Sequence, residues 1–272
     1  MLDVSAFIIA RNEEQHIGNT LKSLIFQTHP LREIVVINDG STDRTGIISQ
    51  FYVDVYNNIM LINLPYHKES YVGRFELATV CNAGLTCIKE NSTPDYIIQM
   101  GADHVLSKEY IKSIIYRMVN NNVAIASGGT QLERLNPNTP WGSGRIIDAK
   151  IWREINDIQY PVNWGYESWI VYRMRQLGYQ VKRYDDIHSF TRPIKMYPQK
   201  AYYWGKCSYA LGCSLPFALN KAINMKSNGV HFLKGYFSKQ NVNKHEDIEH
   251  YVKNYQYSHL MMIIKKKMRF RS

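Results

Sequence analysis

Residues 33–45, EIVVINDGSTDRT, decide the fold. Glu33 to Asn38 is a short, β-branched apolar run without polar alternation, the mark of a strand buried on both faces, as in a parallel sheet. A Gly-Ser-Thr-Asp turn ends the run, and Ser41, Thr42 or Asp43 can cap the helix predicted over Thr45 to Tyr52. In an open α/β sheet, ligands bind outside the carboxyl ends of the strands, so Asp39 is expected to face a binding crevice. A carboxylate there can accept from the imide N–H of a pyrimidine base. Taken alone, Asp-Gly-Ser after a strand is more often turn chemistry.

The same rhythm extends on both sides. Val4 to Ala10 reads as a strand, and Glu13 to Phe26 has helical spacing through Ile17, Leu21, Leu24 and Ile25. Downstream come a strand at Asn58 to Leu64, a helix from about Val72 to Glu90 and a strand at Tyr96 to Met100. A helix at Lys108 to Asn120 and a strand at Val123 to Ser127 follow. Alternation of this kind predicts crossover units: a Rossmann-like α/β fold with an open, mainly parallel sheet flanked by helices. After Gly128 the rhythm breaks, and the Gly/Pro/Asn-rich stretch to Gly144 predicts long loops over one edge of the sheet. Helical periodicity returns at Ser168 to Leu177 and in the Tyr-rich segment Gln199 to Ile223. The expected organisation is one main domain over residues 1–225 and a helical, basic C-terminal extension over 226–272.

With 272 residues, 45% hydrophobic and 21% charged, the chain can bury a substantial core. No run approaches the roughly 20 apolar residues of a membrane span, and the first residues enter a strand pattern without a signal-like stretch. The expectation is a cytoplasmic protein. Cys81, Cys87, Cys207 and Cys213 lack close zinc-ligand spacing and suit buried thiols. The formal charge of +10 implies an anionic partner: nucleic acid, a phosphate-bearing small molecule or an acidic membrane surface. The basic residues form no nucleic-acid reader motif apart from a terminal cluster, so nucleic acid is the least supported of the three.

A second strand-end carboxylate lies in IIQMGADHV, Ile97 to Val105, where Asp103 can hold a hard cation that also binds a diphosphate, the usual arrangement for Mg2+ or Mn2+. Taken singly, Asp103 reads as a turn or N-cap residue and His104 as a surface histidine. Together these features resemble the family 2 glycosyltransferases of GT-A fold. The stretch from Phe7 to Thr45, FIIARNEEQHIGNTLKSLIFQTHPLREIVVINDGSTDRT, is similar to that family's N-terminal signature almost from end to end. The resemblance implies that Asp39 contacts the nucleobase, with Ala10, Arg11, Glu13 and Ala102 lining the donor-nucleotide pocket. VCNAGL, Val80 to Leu85, matches the family's helix motif but carries Cys81 where an arginine is common. Arg74 is the candidate to compensate. Gly101 to Asp103 corresponds to the Asp-x-Asp motif with the first aspartate replaced by Gly101; its last carboxylate, Asp103, is the implied metal ligand.

WGYESWIVYRMRQLGYQV, Trp164 to Val181, resembles the family's acidic segment at the head of a helix ending in Arg-x-x-x-x-Gly. Counting back from Arg173 and Gly178 puts Glu167 on the catalytic base, with Tyr166 replacing a neighbouring acid. Glu167 also suits a helix N-terminus through the dipole. In YDDIHSFTRP, Tyr184 to Pro193, His188 is the implied second metal ligand and Arg192 the diphosphate contact. The implied activity is inverting transfer of a hexosyl-type sugar from a nucleoside-diphosphate sugar to a hydroxyl on a glycan or lipid-linked acceptor. Two alternatives stay open. A nucleotidyltransferase of similar topology would want a Gly-rich triphosphate loop where Ala10-Arg11-Asn12-Glu13 stands. A nucleotide-sugar-binding protein without catalysis is suggested by Gly101. Finally, Leu260 to Ile264 followed by Lys265, Lys266, Lys267, Arg269 and Arg271 is expected to dock the chain on the inner, anionic membrane face.

Overall fold

The computed structural model describes residues 2–130, 139–193 and 195–269, with side chains through residue 258. The chain divides into two compact units: residues 1–70, 78–160 and 178–193 form the first, and 71–77, 161–177 and 194–272 the second. The boundary expected at residue 225 lies within the second unit.

In chain order the elements begin β1 (Val4–Ala10), α1 (Ile17–Ile25), β2 (Glu33–Asp39), α2 (Thr45–Val55), β3 (Ile59–Leu64), α3 (Leu77–Asn91) and β4 (Tyr96–Gly101). They continue with β5 (His104–Leu106), α4 (Tyr110–Asn121), β6 (Val123–Thr130), β7 (Arg145–Asp148) and α5 (Ala149–Asn156). Helix α6 (Tyr166–Gln176) belongs to the second unit, and β8 (Gln180–Thr191) returns to the first. The eight strands form one sheet in the order β3-β2-β1-β4-β7-β6-β8-β5. Its half made of β3, β2, β1 and β4 is wholly parallel, as expected. In the other half β6 and β8 are parallel, while β7 runs antiparallel to β4 and β6, and β5 antiparallel to β8.

All seven residues of β2 are buried, as its unbroken apolar run requires. On one face, Val4, Ala6 and Ile8 of β1 join Ile34 and Val36 of β2 and Ile98 and Met100 of β4 under Ile17, Leu21 and Leu24 of α1. Each such side chain contributes roughly 1.5–3 kcal/mol by leaving water. On the other face α3 comes close because Gly84 has no side chain: a Cβ there would lie 2.5 Å from Ile37 Cδ1 and 3.2 Å from Phe7 Cβ. Two residues earlier, Asn82 donates to the Tyr160 carbonyl and accepts from the Tyr160 N–H, both at 2.8 Å. The VCNAGL segment thus fixes a helix on the sheet. The acid that opens β2, Glu33, is buried but accepts from the hydroxyls of Ser5 and Ser92, which satisfies it.

The loops expected from Gly128 to Gly144 give way to structure at their first end. Strand β6 runs through Gly128 and Gly129 to Thr130 because β8 lies against those glycines; a Cβ on Gly128 would sit 2.3 Å from the Ile187 carbonyl oxygen. Residues 131–138 lie outside the described residues, and β7 begins at Arg145. The third predicted helix starts at Leu77 rather than near Val72, so Arg74 precedes it.

In the second unit, α6 is followed by α7 (Pro198–Ala210), α8 (Leu215–Asn224), α9 (Gly229–Phe237) and α10 (Glu246–Arg269). The helical segment expected over Gln199 to Ile223 is broken in two. Gly212 adopts φ +73°, which leaves the helix, and its missing Cβ makes room for Glu249; Pro216 then opens α8. Helices α7 and α9 approach at Gly205 and Gly235, where added Cβ atoms would stand 2.0 Å from the Phe232 oxygen and 1.9 Å from the Tyr202 oxygen. Among the described residues no disulfide forms, and no helix is long and apolar enough to cross a membrane. The backbone of α10 continues to Arg269, but the side chains of the predicted membrane tail, Leu260 to Ser272, lie outside the described residues.

Candidate functional site

Two loops leave the carboxyl ends of β1 and β2, and side chains of one bind the backbone of the other. Asn12, at φ +52°, accepts from the Thr42 N–H at 2.8 Å, and its own N–H donates to Ser41 Oγ at 3.0 Å. The Glu13 N–H donates to Thr45 Oγ1 at 2.7 Å and the Glu14 N–H to Asp43 Oδ2 at 3.0 Å. In return Glu14 Oε2 accepts from the Arg44 N–H at 3.0 Å. Of the three residues offered as the cap of α2, Ser41 and Thr42 are committed to Asn12. Asp43 does serve the helix start, accepting from the Thr45 N–H at 2.9 Å. Its carboxyl is pulled below the usual range, since these hydrogen bonds outweigh burial, the largest single influence.

Asp39 closes β2 and is 2% exposed. The next residue, Gly40, turns at φ +62° where a Cβ would meet the Pro65 oxygen at 2.7 Å, so the chain can double back only with glycine here. Arg11 Nη1 donates to the Asp39 carbonyl at 2.6 Å, and Nη2 donates to the His67 carbonyl. His67 Nδ1 donates to the Glu69 carbonyl at 2.5 Å, which leaves Nε2 between Arg11 Nη1 at 2.7 Å and Asp39 Oδ1 at 2.9 Å. Unprotonated, Nε2 accepts from Arg11; protonated, it donates to Asp39. His67 was not among the sequence candidates. It follows the end of β3, and the strand-end rule that found Asp39 and Asp103 would have found it too. Ala10, the last residue of β1, is fully buried opposite Asn38 and forms the floor between the two loops.

The third strand end is β4. Ala102 is buried, with its N–H donated to the Ile9 carbonyl and its carbonyl bound by the Thr20 hydroxyl, so both backbone groups are committed to the frame. Asp103 Oδ2 accepts from Arg192 Nε at 2.8 Å, and Arg192 Nη2 donates to Glu13 Oε1. One guanidinium is therefore held between two carboxylates, because the antiparallel pairing of His104 with Thr191 carries Arg192 alongside Asp103. Burial pushes the Glu13 carboxyl above its ordinary 4.5, more than Arg192 pulls it down, and Asp103 adds to the rise. Glu13 Oε2 is buried without a hydrogen-bond partner among the described residues. Gly101 faces limited space: a Cβ would stand 3.2 Å from Asp103 Oδ1 and 3.5 Å from Ser143 Oγ.

His104 is not on the surface. It is 1% exposed, its Nδ1 lies 2.6 Å from Ser143 Oγ, and burial lowers its pKa to about 4, so it is a neutral wall of the site. His188 is exposed on β8, where its carbonyl accepts from the Ser107 N–H. It stands four residues before Arg192, roughly 13 Å along the strand at about 3.3 Å per residue.

A divalent cation that keeps waters and takes phosphate oxygens needs only one or two protein carboxylates. No cluster of three or more His, Cys, Asp or Glu occurs among the described residues, but Asp103, with Glu13 and its unpartnered buried oxygen nearby, fits that smaller requirement. In the second unit, Glu167 is half-buried in the first turn of α6, after Gly165 at φ +79°. Arg74 is half-buried, its Nε donated to Glu76 Oε2 at 3.1 Å and its guanidinium 5.9 Å from the Tyr71 ring centre.

Comparisons with known proteins agree with this geometry. A glycosyltransferase of Haemophilus influenzae, itself uncharacterised, is 30% identical over 125 residues, which is 46% of this chain and 35% of that protein. Glycosyltransferase GlyA of Streptococcus pneumoniae is 27% identical over 125 residues, 46% of this chain and 16% of that protein. The matched stretch thus spans about a third or less of these relatives' own lengths. Among solved structures, Staphylococcus aureus TarS in complex with UDP-GlcNAc superposes with TM-score 0.55 at 17% identity, covering 88% of this chain and 73% of that one. Mannosyltransferase PcManGT of Pyrobaculum calidifontis, in complex with GDP-Man and Mn2+, gives TM-score 0.59 at 13% identity, covering 87% and 75%. These likenesses establish the GT-A fold. The model of "Glycosyl transferase family 2" matches residues 5–203, well over half of the sequence, and the chain belongs to that family.

Proposed function

We propose that this chain transfers a sugar from a nucleoside-diphosphate sugar to an acceptor hydroxyl on a glycan or lipid-linked molecule, with inversion at the anomeric carbon. The observation that carries the reading is the row of groups at the ends of β1, β2 and β4: Arg11 and Glu13, Asp39, and Asp103 with Arg192. Asp39 is the acceptor for a base N–H, and Arg11 fixes its backbone. Arg192 meets the charge of the leaving diphosphate, and Glu13 and Asp103 aim its guanidinium. Asp103, with Glu13, would hold a Mg2+ or Mn2+ ion, which when bound neutralises charge on the leaving diphosphate. Glu167 takes the proton from the acceptor hydroxyl as that oxygen attacks the sugar opposite the leaving group. Three other acids, Asp157, Asp185 and Asp186, are paired with Lys89, Arg183 and Arg117 respectively. Arg74 is assigned to the donor side, and the terminal basic tail to docking at an anionic cytoplasmic membrane face.

The test is a screen of nucleotide sugars, with and without Mn2+, for thermal stabilisation of the full chain. A ligand that binds only the folded state raises apparent stability by about 2.7 kcal/mol at a hundredfold excess over Kd. NMR of the product from the stabilising donor then reads the anomer. A retained anomer defeats the inverting mechanism, and a chain that no nucleotide sugar stabilises defeats the donor reading. Gly101 in place of the first aspartate favours one second reading, a binder without turnover. Stabilisation without any release of nucleoside diphosphate would select it.

A further inference from the structure

The second unit contains a cavity of about 390 Å³, lined among others by Tyr209, Ser214, Tyr236, Lys244, Lys253 and Tyr257. Its volume is at the lower end of small-ligand pockets, suited to a single ring rather than an extended chain. We propose that this cavity binds an anionic saccharide, a sugar ring carrying a phosphate or carboxylate. Tyr209 and Tyr257 supply aromatic rings with hydroxyl edges, which match the C–H faces and hydroxyls of a sugar. Tyr236 is fixed by donating its hydroxyl to the Cys213 carbonyl at 2.6 Å. Lys244 Nζ lies 5.4 Å from the Tyr209 ring centre.

The charge is arranged to receive an anion. Lys244 and Lys253 both donate to the same oxygen of Glu249, each at 2.6 Å, and are 35% and 42% exposed. Two ammonium groups share one carboxylate, so a net positive charge remains at the cavity. The described part of the same unit leans the same way: residues 195–258 carry nine lysines and no arginine against three acids. Glu249 therefore acts as a competitor that an incoming anion must displace from the lysines. The site is independent of the transfer reading and requires no donor.

Calorimetric titration of the full chain with glucose 1-phosphate, glucose and inorganic phosphate tests the proposal. Glucose 1-phosphate is expected to bind more tightly than either of the others, and less tightly at high salt. Lys244→Met with Lys253→Met should weaken it by about tenfold or more, and Glu249→Gln should tighten it by about tenfold, each a lost or gained charged hydrogen bond. Should the double variant fail to fold, Lys253→Gln alone serves, with a smaller loss in the same direction. Affinity unchanged by the lysine variants but lost in Arg192→Ala would place the ligand in the first unit and overturn the proposal. Inorganic phosphate binding as tightly as the sugar phosphate, or weaker binding in Glu249→Gln, would overturn it equally.

Discussion

The two units are built on opposite economies of shape and charge. The first is built on a sheet whose inner strands β1, β2 and β4 hide their side chains on both faces, and its candidate groups Arg11, Asp39, His67 and Asp103 follow the strand ends. The second is helical, joined through glycine contacts, and its segment from residue 194 onward carries a large excess of positive charge. In a sheet, position along the strand announces which residue meets ligand. In a helical unit every face is a candidate, and only the packed structure shows which side chains share a cavity.

The largest effect that would sharpen this contrast is at Glu167. Glu167→Gln, in the helical unit, is expected to lower turnover by about 10²–10⁴-fold while calorimetry shows unchanged donor affinity, because an amide keeps the shape but takes no proton. Turnover within a few fold of the parent would remove it as the base. Asp103→Asn, in the sheet unit, should do the reverse, removing roughly tenfold to a hundredfold of Mn2+-enhanced nucleoside-diphosphate affinity without unfolding the chain. Metal-enhanced binding that survives the change would take Asp103 out of the site.

Stability should divide along the same line. Gly235→Ala places a methyl against the Tyr202 carbonyl, an overpacking that costs about 1–3 kcal/mol and exceeds the roughly 1 kcal/mol gained in helix propensity. Urea unfolding followed by tryptophan fluorescence should show the loss, and an unchanged midpoint would mean α7 and α9 have slack. The smallest expected effect is a pH dependence from His245. It is buried, its Nε2 donates to the Trp164 carbonyl at 2.9 Å, and burial holds its pKa below the ordinary 6.5. The folded chain keeps it neutral while the unfolded chain protonates it, so its contribution is full above pH 6.5 and is lost as the pH falls through the lower folded value. His245→Gln retains the donor and should flatten the change in urea midpoint between pH 7 and 5. A slope identical to the parent's would exclude His245 as its source.

The sheet half made of β3, β2, β1 and β4 was legible because each strand is a continuous apolar run bounded by turn residues. β7 and β5 were not, since four and three residues carry no period and their pairings are set by distant strands. Gly128 and Gly129 read as the end of order, yet they are strand residues made necessary by the approach of β8. At the site, Asp39 and Asp103 were found by their place after strands. Arg192 was named, but its seat between Glu13 and Asp103 depends on the register of β5 with β8, which no local pattern encodes. That register also separates His188 from Asp103. His67 lies just past β3, where the strand-end rule points but no motif accompanies it, and His104 was misjudged because burial by Ser143 and Gly144 is a tertiary fact.

The cross-linked loops after β1 and β2 have a consequence for how affinity can be tuned. Their backbone N–H groups are already bound by Asn12, Ser41, Asp43, Glu14 and Thr45, so a ligand arriving there meets a surface whose ordering entropy was spent during folding. Association then loses little to immobilising the chain, and discrimination falls to the few side chains that project from the rigid rim, Arg11 and His67 among them. Because Arg11 also holds the Asp39 and His67 carbonyls, replacing it would loosen that rim as well as change what it presents.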